Sequence, residues 1–216
     1  VSTHSLGFVD VTPRAPSLPP DERRAEIVRA ARPLLLELGG SFTTKQVAEA
    51  AGIAEGTLFR VFPTKRDLMQ AVIADAMDTT VIVRDLDAID RTAGLETRVM
   101  LTVGRLQRSI DEVSAVFAAL FQIPSPEADE LRHKPKEHTP EGQALHEARA
   151  QELHAAIVRV LETDAQRLTC SPEEAASLVR GMAFATSHPH ISDRRFTDAA
   201  RIAQLLLHGM TKEDPC

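Results

Sequence analysis

The 216-residue sequence has no tryptophan and no tyrosine, and its eight phenylalanines bring aromatic content to only 4%. Proteins that bind RNA or single strands stack bases on aromatic side chains, so this shortage counts against that mode of recognition. Cysteine is scarce as well. Cys170 and Cys216 fit no metal or redox spacing, which agrees with a reducing compartment, and the expected localisation is cytoplasmic. No apolar run approaches the roughly 20 residues of a membrane helix. The first residues, VSTHSLGFVDVTPRAPSLPP, lack the basic start and apolar stretch of a secretory signal. There is no Gly-rich phosphate loop and no nucleophile elbow, and the carboxylates are scattered over polar helix faces. No catalytic residue, metal site or cofactor is expected. No strand alternation and no internal repeat is found either.

Basic charge is also in deficit overall, with 25 Lys and Arg against 31 Asp and Glu, a formal net charge of −6. The deficit is uneven. From Arg14 to Arg66 nine basic residues face six acidic ones, a net of +3, which leaves −9 to the rest of the chain. A mildly basic front end on an acidic body suits a DNA-reading head joined to a separate partner domain.

What the sequence does have is the stretch Thr43 to Pro63, TTKQVAEAAGIAEGTLFRVFP. It reads as two short helices and one tight turn. Thr43 caps the first helix, and Gln46 three residues later completes a capping box. Gly52 stands where a left-handed backbone is needed. Ala48 is small enough for close approach, and Val47, Ile53, Leu58 and Val61 are spaced to lock two crossing helices. Such a pair is a helix-turn-helix, whose second helix can enter the major groove of DNA.

The remaining chain reads as all-helical. Residues 1–20 carry four prolines (Pro13, Pro16, Pro19 and Pro20) and form a tail. Either it is an extension without function or Arg14 belongs to a minor-groove arm. A first helix is predicted from Asp21 to Leu38, with a buried stripe of Ile27, Ala30, Ala31, Leu34, Leu35 and Leu38, a kink at Pro33 and a stop at Gly39-Gly40. After the motif, Thr64 and Asp67 cap a new helix whose first turn holds Lys65 and Arg66. Cations are disfavoured at a helix start, where a phosphate is favoured. The alternative is two solvated surface charges. A long amphipathic helix is predicted from Leu95 to Phe121, on Val99, Val103, Leu106, Ile110, Val113, Phe117 and Leu120. The proline-rich IPSPEADELRHKPKEHTPEG is predicted as a loop with at most one helical turn. Then come a helix from Pro140 to about Leu168, capped by Thr139, one starting at Ser171-Pro172-Glu173-Glu174, and a last one near Phe196 to His208.

The motif TTKQVAEAAGIAEGTLFRVFPTKRDLMQAVI resembles the DNA-binding domain of the TetR family of bacterial transcriptional repressors over roughly residues 24 to 73. The resemblance implies an all-α chain: a tail (1–20), a three-helix DNA-binding domain (21–66), a helical ligand-binding and dimerisation domain (67–210) and a C-terminal tail (211–216). It also implies a homodimer, a double-stranded operator and release by a small apolar or amphipathic inducer. Carried over by position, Thr44 lies where the first motif helix meets phosphate, and the neighbouring Lys45 is a further DNA-binding candidate. Glu55, Gly56, Thr57, Phe59 and Arg60 lie on the reading helix, with Thr57 and Arg60 facing the groove, and Lys65 matches a lysine that grips the DNA backbone. Two departures stand out: Phe59 replaces a frequent Tyr, and Ala54 replaces a frequent Ser cap, a loss on the order of 1 kcal/mol. Glu55 either contacts cytosine or favours the helix start through the dipole.

One reading helix spans only a few base pairs, which itself calls for a dimer. Leu178, Met182, Ala199, Ile202, Ala203 and Leu206 are the candidate seam, against the alternative that they close the monomer's core. Met100, Val103, Phe117, Phe121, Phe184 and His188 are candidates for an inducer pocket, against the alternative that they build core. Among other functions, a metal-responsive regulator draws on His188-Pro189-His190 and on His146 with His154, but no His-x-x-x-His pair supports zinc. A ligand-independent regulator would lack an apolar cavity. A small helical enzyme lacks an identifiable nucleophile and partners.

Overall fold

A computed structural model describes residues 19–122, 125–133, 140–188, 191–192 and 196–210, and among these every regular element is helical. The expected N-terminal arm with Arg14, the Thr139 cap, Pro189 and His190, and the C-terminal tail lie outside the described residues.

Helix α1 (Pro20–Leu38) opens with proline at its first position and runs on through Pro33, which lies on its exposed side. It ends where Gly39 turns to φ 58° and leads into a short 3₁₀ turn, Gly39–Ser41. Its buried residues are Ile27, Val28, Ala31 and Leu35, while Ala30, Leu34 and Leu38 of the predicted stripe are half-buried. Helices α2 (Thr44–Ala50), α3 (Glu55–Val61) and α4 (Lys65–Ala76) follow with connections only a few residues long. They pack around Phe42, Val47, Ala48, Leu58, Phe62, Leu68, Met69 and Val72, all buried.

This first core does not stop at the boundary expected after Arg66. It takes in Val116 and Leu120 from the far end of α6 (Leu95–Gln122), and Ala128 and Leu131 of α7 (Pro126–His133). The stretch predicted as a loop with one helical turn therefore contains an eight-residue helix, held by apolar burial that a local reading of its prolines misses. The second core joins α5 (Thr80–Asp87), the first half of α6, α8 (Pro140–Leu161), α9 (Pro172–Ser187) and α10 (Ala199–Met210). Helix α6 thus threads both cores and packs against α1 and α4 at one end and α9 and α10 along its length.

Helix α8 gives way to a 3₁₀ segment, Glu162–Arg167, earlier than predicted. That segment carries the partners of a buried cation. Arg98 of α6 is fully buried and donates to Asp164, to the Thr163 hydroxyl and to the Arg91 carbonyl. Ser171 and Glu174 form the predicted capping box at the start of α9.

Candidate nucleic-acid interface

The helix-turn-helix is built by local chemistry. The Thr43 hydroxyl accepts from the Gln46 N–H at 3.2 Å, and the Gln46 side chain accepts from the Thr43 N–H at 2.8 Å. Between the helices Gly52 adopts φ +65°, so the chain reverses without strain there. The Ile53 N–H donates back to the Ala48 carbonyl at 2.9 Å and closes the turn. Val47 and Leu58 are fully buried between the two helices, whereas Ile53 and Val61 are half-buried at their edge. Helix α3 starts at Ala54 with no side-chain cap, as that residue dictates.

The face of α3 turned away from this core carries Glu55, Gly56, Phe59 and Arg60, all exposed, with Thr57 half-buried beside them. Phe59 is 44% exposed, an unusual state for so large an apolar side chain. Arg60 offers the planar fork that matches guanine O6 and N7, and a bare phenyl ring can meet a thymine methyl group. Gly56 has nothing within 4 Å of where a Cβ would stand, so that surface is open to a close approach by another molecule.

Around this face several predicted contacts are engaged within the protein. The Thr44 hydroxyl donates to Glu55 Oε1 at 2.7 Å, tying the start of α2 to the start of α3. The hydroxyl expected to meet a phosphate is therefore committed, and Glu55 is a brace as well as a favourable first-turn charge. Lys45 is exposed and lies 3.9 Å from Glu49, one turn on.

Lys65 departs furthest from its expected place. Its side chain is only 19% exposed, its ammonium donates to the Gly40 carbonyl at 2.6 Å, and it sits 5.0 Å from the Phe42 ring centre. Glu127 of α7 approaches it to 3.9 Å, and Glu130 of the same helix pairs with Arg66 at 3.2 Å. An acidic α7 thus clasps both cations at the start of α4. The run PEADE in the sequence contains these carboxylates, but nothing local says that they fold back onto residues 65 and 66.

The predicted ligand residues are not gathered into one site. Val103 is fully buried in the second core and Met100 packs against it, whereas Phe121 packs against the first core with the Phe117 ring tilted beside it, centres 6.0 Å apart. Phe184 is 44% exposed with its ring 4.8 Å from His188. The expectation fails because alternate turns of a long helix face different neighbours. A different set of residues lines an apolar cleft of about 640 Å³ between the end of α4, α6, α8 and α9: Met77, Val113, Leu145 and Leu153 among them.

The predicted dimer seam divides likewise. Leu178 and Met182 are exposed on α9, at 51% and 36%, but Ile202 and Ala203 are fully buried, Leu206 is 8% exposed and Ala199 is half-buried, all within the chain's own core. Helix α10 is used by α6, and among its described residues the exposed large apolar side chain is Leu205, at 45%.

Residues 27–72 match the family described as bacterial regulatory proteins, tetR family. No curated protein matches the chain in sequence. In fold it is similar to a TetR-family transcriptional regulator from Mesorhizobium loti MAFF303099, 18% identical, with a TM-score of 0.62 over 89% of this chain and 96% of that one. A regulator of the TetR/AcrR family from Thermobifida fusca is 18% identical, with a TM-score of 0.60 over 87% and 98%. NalD of Pseudomonas aeruginosa, the secondary repressor of the MexAB-OprM multidrug efflux pump, is 17% identical, with a TM-score of 0.50 over 90% and 100%.

Proposed function

We propose that this chain, whose residues 27–72 match the bacterial regulatory proteins of the tetR family, is a ligand-responsive, sequence-specific transcriptional repressor of that family that acts as a homodimer. The observation that carries the reading is the outer face of α3: exposed Gly56, Phe59 and Arg60 on a helix fixed to α2 by Val47, Leu58 and the Gly52 turn. A helix held this firmly presents its side chains to base edges at little entropic cost.

The partner surface is the exposed apolar side of α9 and α10, where Leu178, Met182, Phe184 and Leu205 stand in water in a single chain. A second copy of the same surface covers them by twofold symmetry. Release follows from linkage. The cleft is walled in part by the end of α4, and α4 begins at the two cations next to the reading head. A ligand that prefers one placement of α4 shifts the separation of the two reading helices, and DNA weakens ligand binding by the same factor. Repression is the regulatory sense of NalD, a protein of similar fold.

The test is selection of bound sites from fragmented genomic DNA, followed by titration of the chain and of Arg60→Ala. A palindromic site should be enriched, and Arg60→Ala should lose about 1–3 kcal/mol there while keeping weak, salt-sensitive non-specific binding. If no sequence is enriched and binding vanishes at moderate salt, charge alone attracts DNA and the reading fails.

A further inference from the structure

The cleft between α4, α6, α8 and α9 has mainly apolar walls, yet two guanidinium groups line it. Arg149 of α8 and Arg180 of α9 are both half-buried. Neither forms an ion pair among the described residues. Among the described residues Arg180 Nη1 reaches only the Ala150 carbonyl, at 3.5 Å. A guanidinium has five N–H donors and no acceptor, and it cannot shed its charge. Two of them beside apolar walls, without an ion pair among the described residues, leave N–H donors for an anion to complement.

The carboxylates at the same cleft do not fill that role. Asp78 is exposed, and its Oδ1 already accepts from the Thr80 N–H at 2.9 Å and from the Thr80 hydroxyl at 2.6 Å. Glu141 is exposed in the first turn of α8. Hydrogen bonds from Thr80 hold the Asp78 carboxyl below its ordinary value, with the Arg149 charge a smaller contribution, and both carboxylates are exposed whereas the two arginines are half-buried, so water screens the attraction. An adjoining cleft, which shares Ala76, Asp78 and Ser109, adds Arg105, whose Nη1 is buried without a hydrogen-bond partner. A third cation without an ion pair among the described residues thus borders the adjoining cleft.

We infer that the cleft takes an amphipathic carboxylate: an apolar body along Met77, Val113, Leu145 and Leu153, with its planar carboxylate on Arg149 and Arg180. Two oxygens in a plane match a guanidinium fork, and the charge-assisted bonds are the stronger kind. A volume of about 640 Å³ falls within the range of small-molecule sites and admits a chain of ten or more carbons. This inference rests on the ligand-responsive reading above and narrows it to a class.

The experiment uses the full chain and two probes that differ in charge, decanoate and decan-1-ol, titrated calorimetrically at neutral pH. Decanoate should bind at least tenfold more tightly than decanol, and its affinity should fall with added salt while that of decanol does not. Arg149→Gln with Arg180→Gln should cost decanoate tenfold or more and leave decanol within twofold; Arg149→Lys with Arg180→Lys should retain part of the preference. Equal binding of both probes, or no binding of decanoate, overturns the inference, and the salt and probe comparisons on the unaltered chain decide it even if a variant fails to fold. Operator affinity measured with and without saturating decanoate separates the two readings. Decanoate that binds on the arginines without weakening the operator complex defeats release by this ligand and leaves the carboxylate site standing.

Discussion

The clasp of α7 on the start of α4 makes a prediction that can be worked through in energies. On the proposed reading Lys65 meets the DNA backbone with Arg66 beside it, and in the free protein Glu127 and Glu130 hold these cations at 3.9 Å and 3.2 Å. A phosphate must compete with these carboxylates. Glu127→Gln with Glu130→Gln keeps the side-chain size and removes the competition. The side chains are 19% and 34% exposed in one pair and 30% and 61% in the other, so screening by water limits each pair to about 1 kcal/mol or less. Together they should tighten operator binding by up to about 2 kcal/mol, roughly 30-fold at most, at low salt. Fluorescence anisotropy on a labelled operator between 50 and 200 mM salt, about the range over which phosphate contacts weaken, reads this directly. A gain from general charge alone would persist when Lys65 is replaced. A gain from releasing Lys65 should shrink when Glu127→Gln is made in a Lys65→Gln background, because groups in contact are not additive. Unchanged or weaker operator binding in a double variant that melts normally would refute the competition.

Three further outcomes follow from the geometry. Gly52→Ala should destabilise the chain by about 1–2 kcal/mol in urea unfolding, with Asn costing less; no atom lies within 4 Å of the added Cβ, so the cost comes from φ +65° alone. Asp164→Ala should cost about 3–5 kcal/mol, because it strands the buried Arg98 guanidinium, and adding Arg98→Met should restore much of the loss in the same unfolding assay. Asp87 is held below the ordinary carboxylate range chiefly by its hydrogen bonds from Arg159, both at 2.9 Å. Its contribution is therefore present above the unfolded value of about 3.9 and is lost as pH falls below it through the folded one, so Asp87→Asn should flatten the acid limb of the stability profile.

Legibility in the sequence followed the range of the forces involved. The Thr43–Gln46 and Ser171–Glu174 boxes, the turn at Gly52 and the uncapped start at Ala54 involve residues within a few positions of one another, and each is formed as read. The long period of α6 survives as a 28-residue helix because its apolar repeat needs only some neighbour on each side. Which neighbour it meets is not written in the repeat: Val103 faces the second core and Val116 the first, so the assembly of Met100, Val103, Phe117 and Phe121 into one site dissolves. An apolar stripe specifies burial and is silent about whether the same chain or another supplies it. That is why Ile202, Ala203 and Leu206 close the monomer while Leu178 and Met182 stay exposed.

The sequence by itself determined the helical class and the helix-turn-helix, since caps, turns and short-range spacing are local chemistry. Tertiary structure alone decided the acidic clasp on Lys65 and Arg66, the burial of Arg98 against Asp164, and the meeting of Arg149 and Arg180 at one apolar cleft. Each joins residues some 30 to 66 positions apart, and which such side chains meet is settled by packing between helices, of which a linear pattern carries no record.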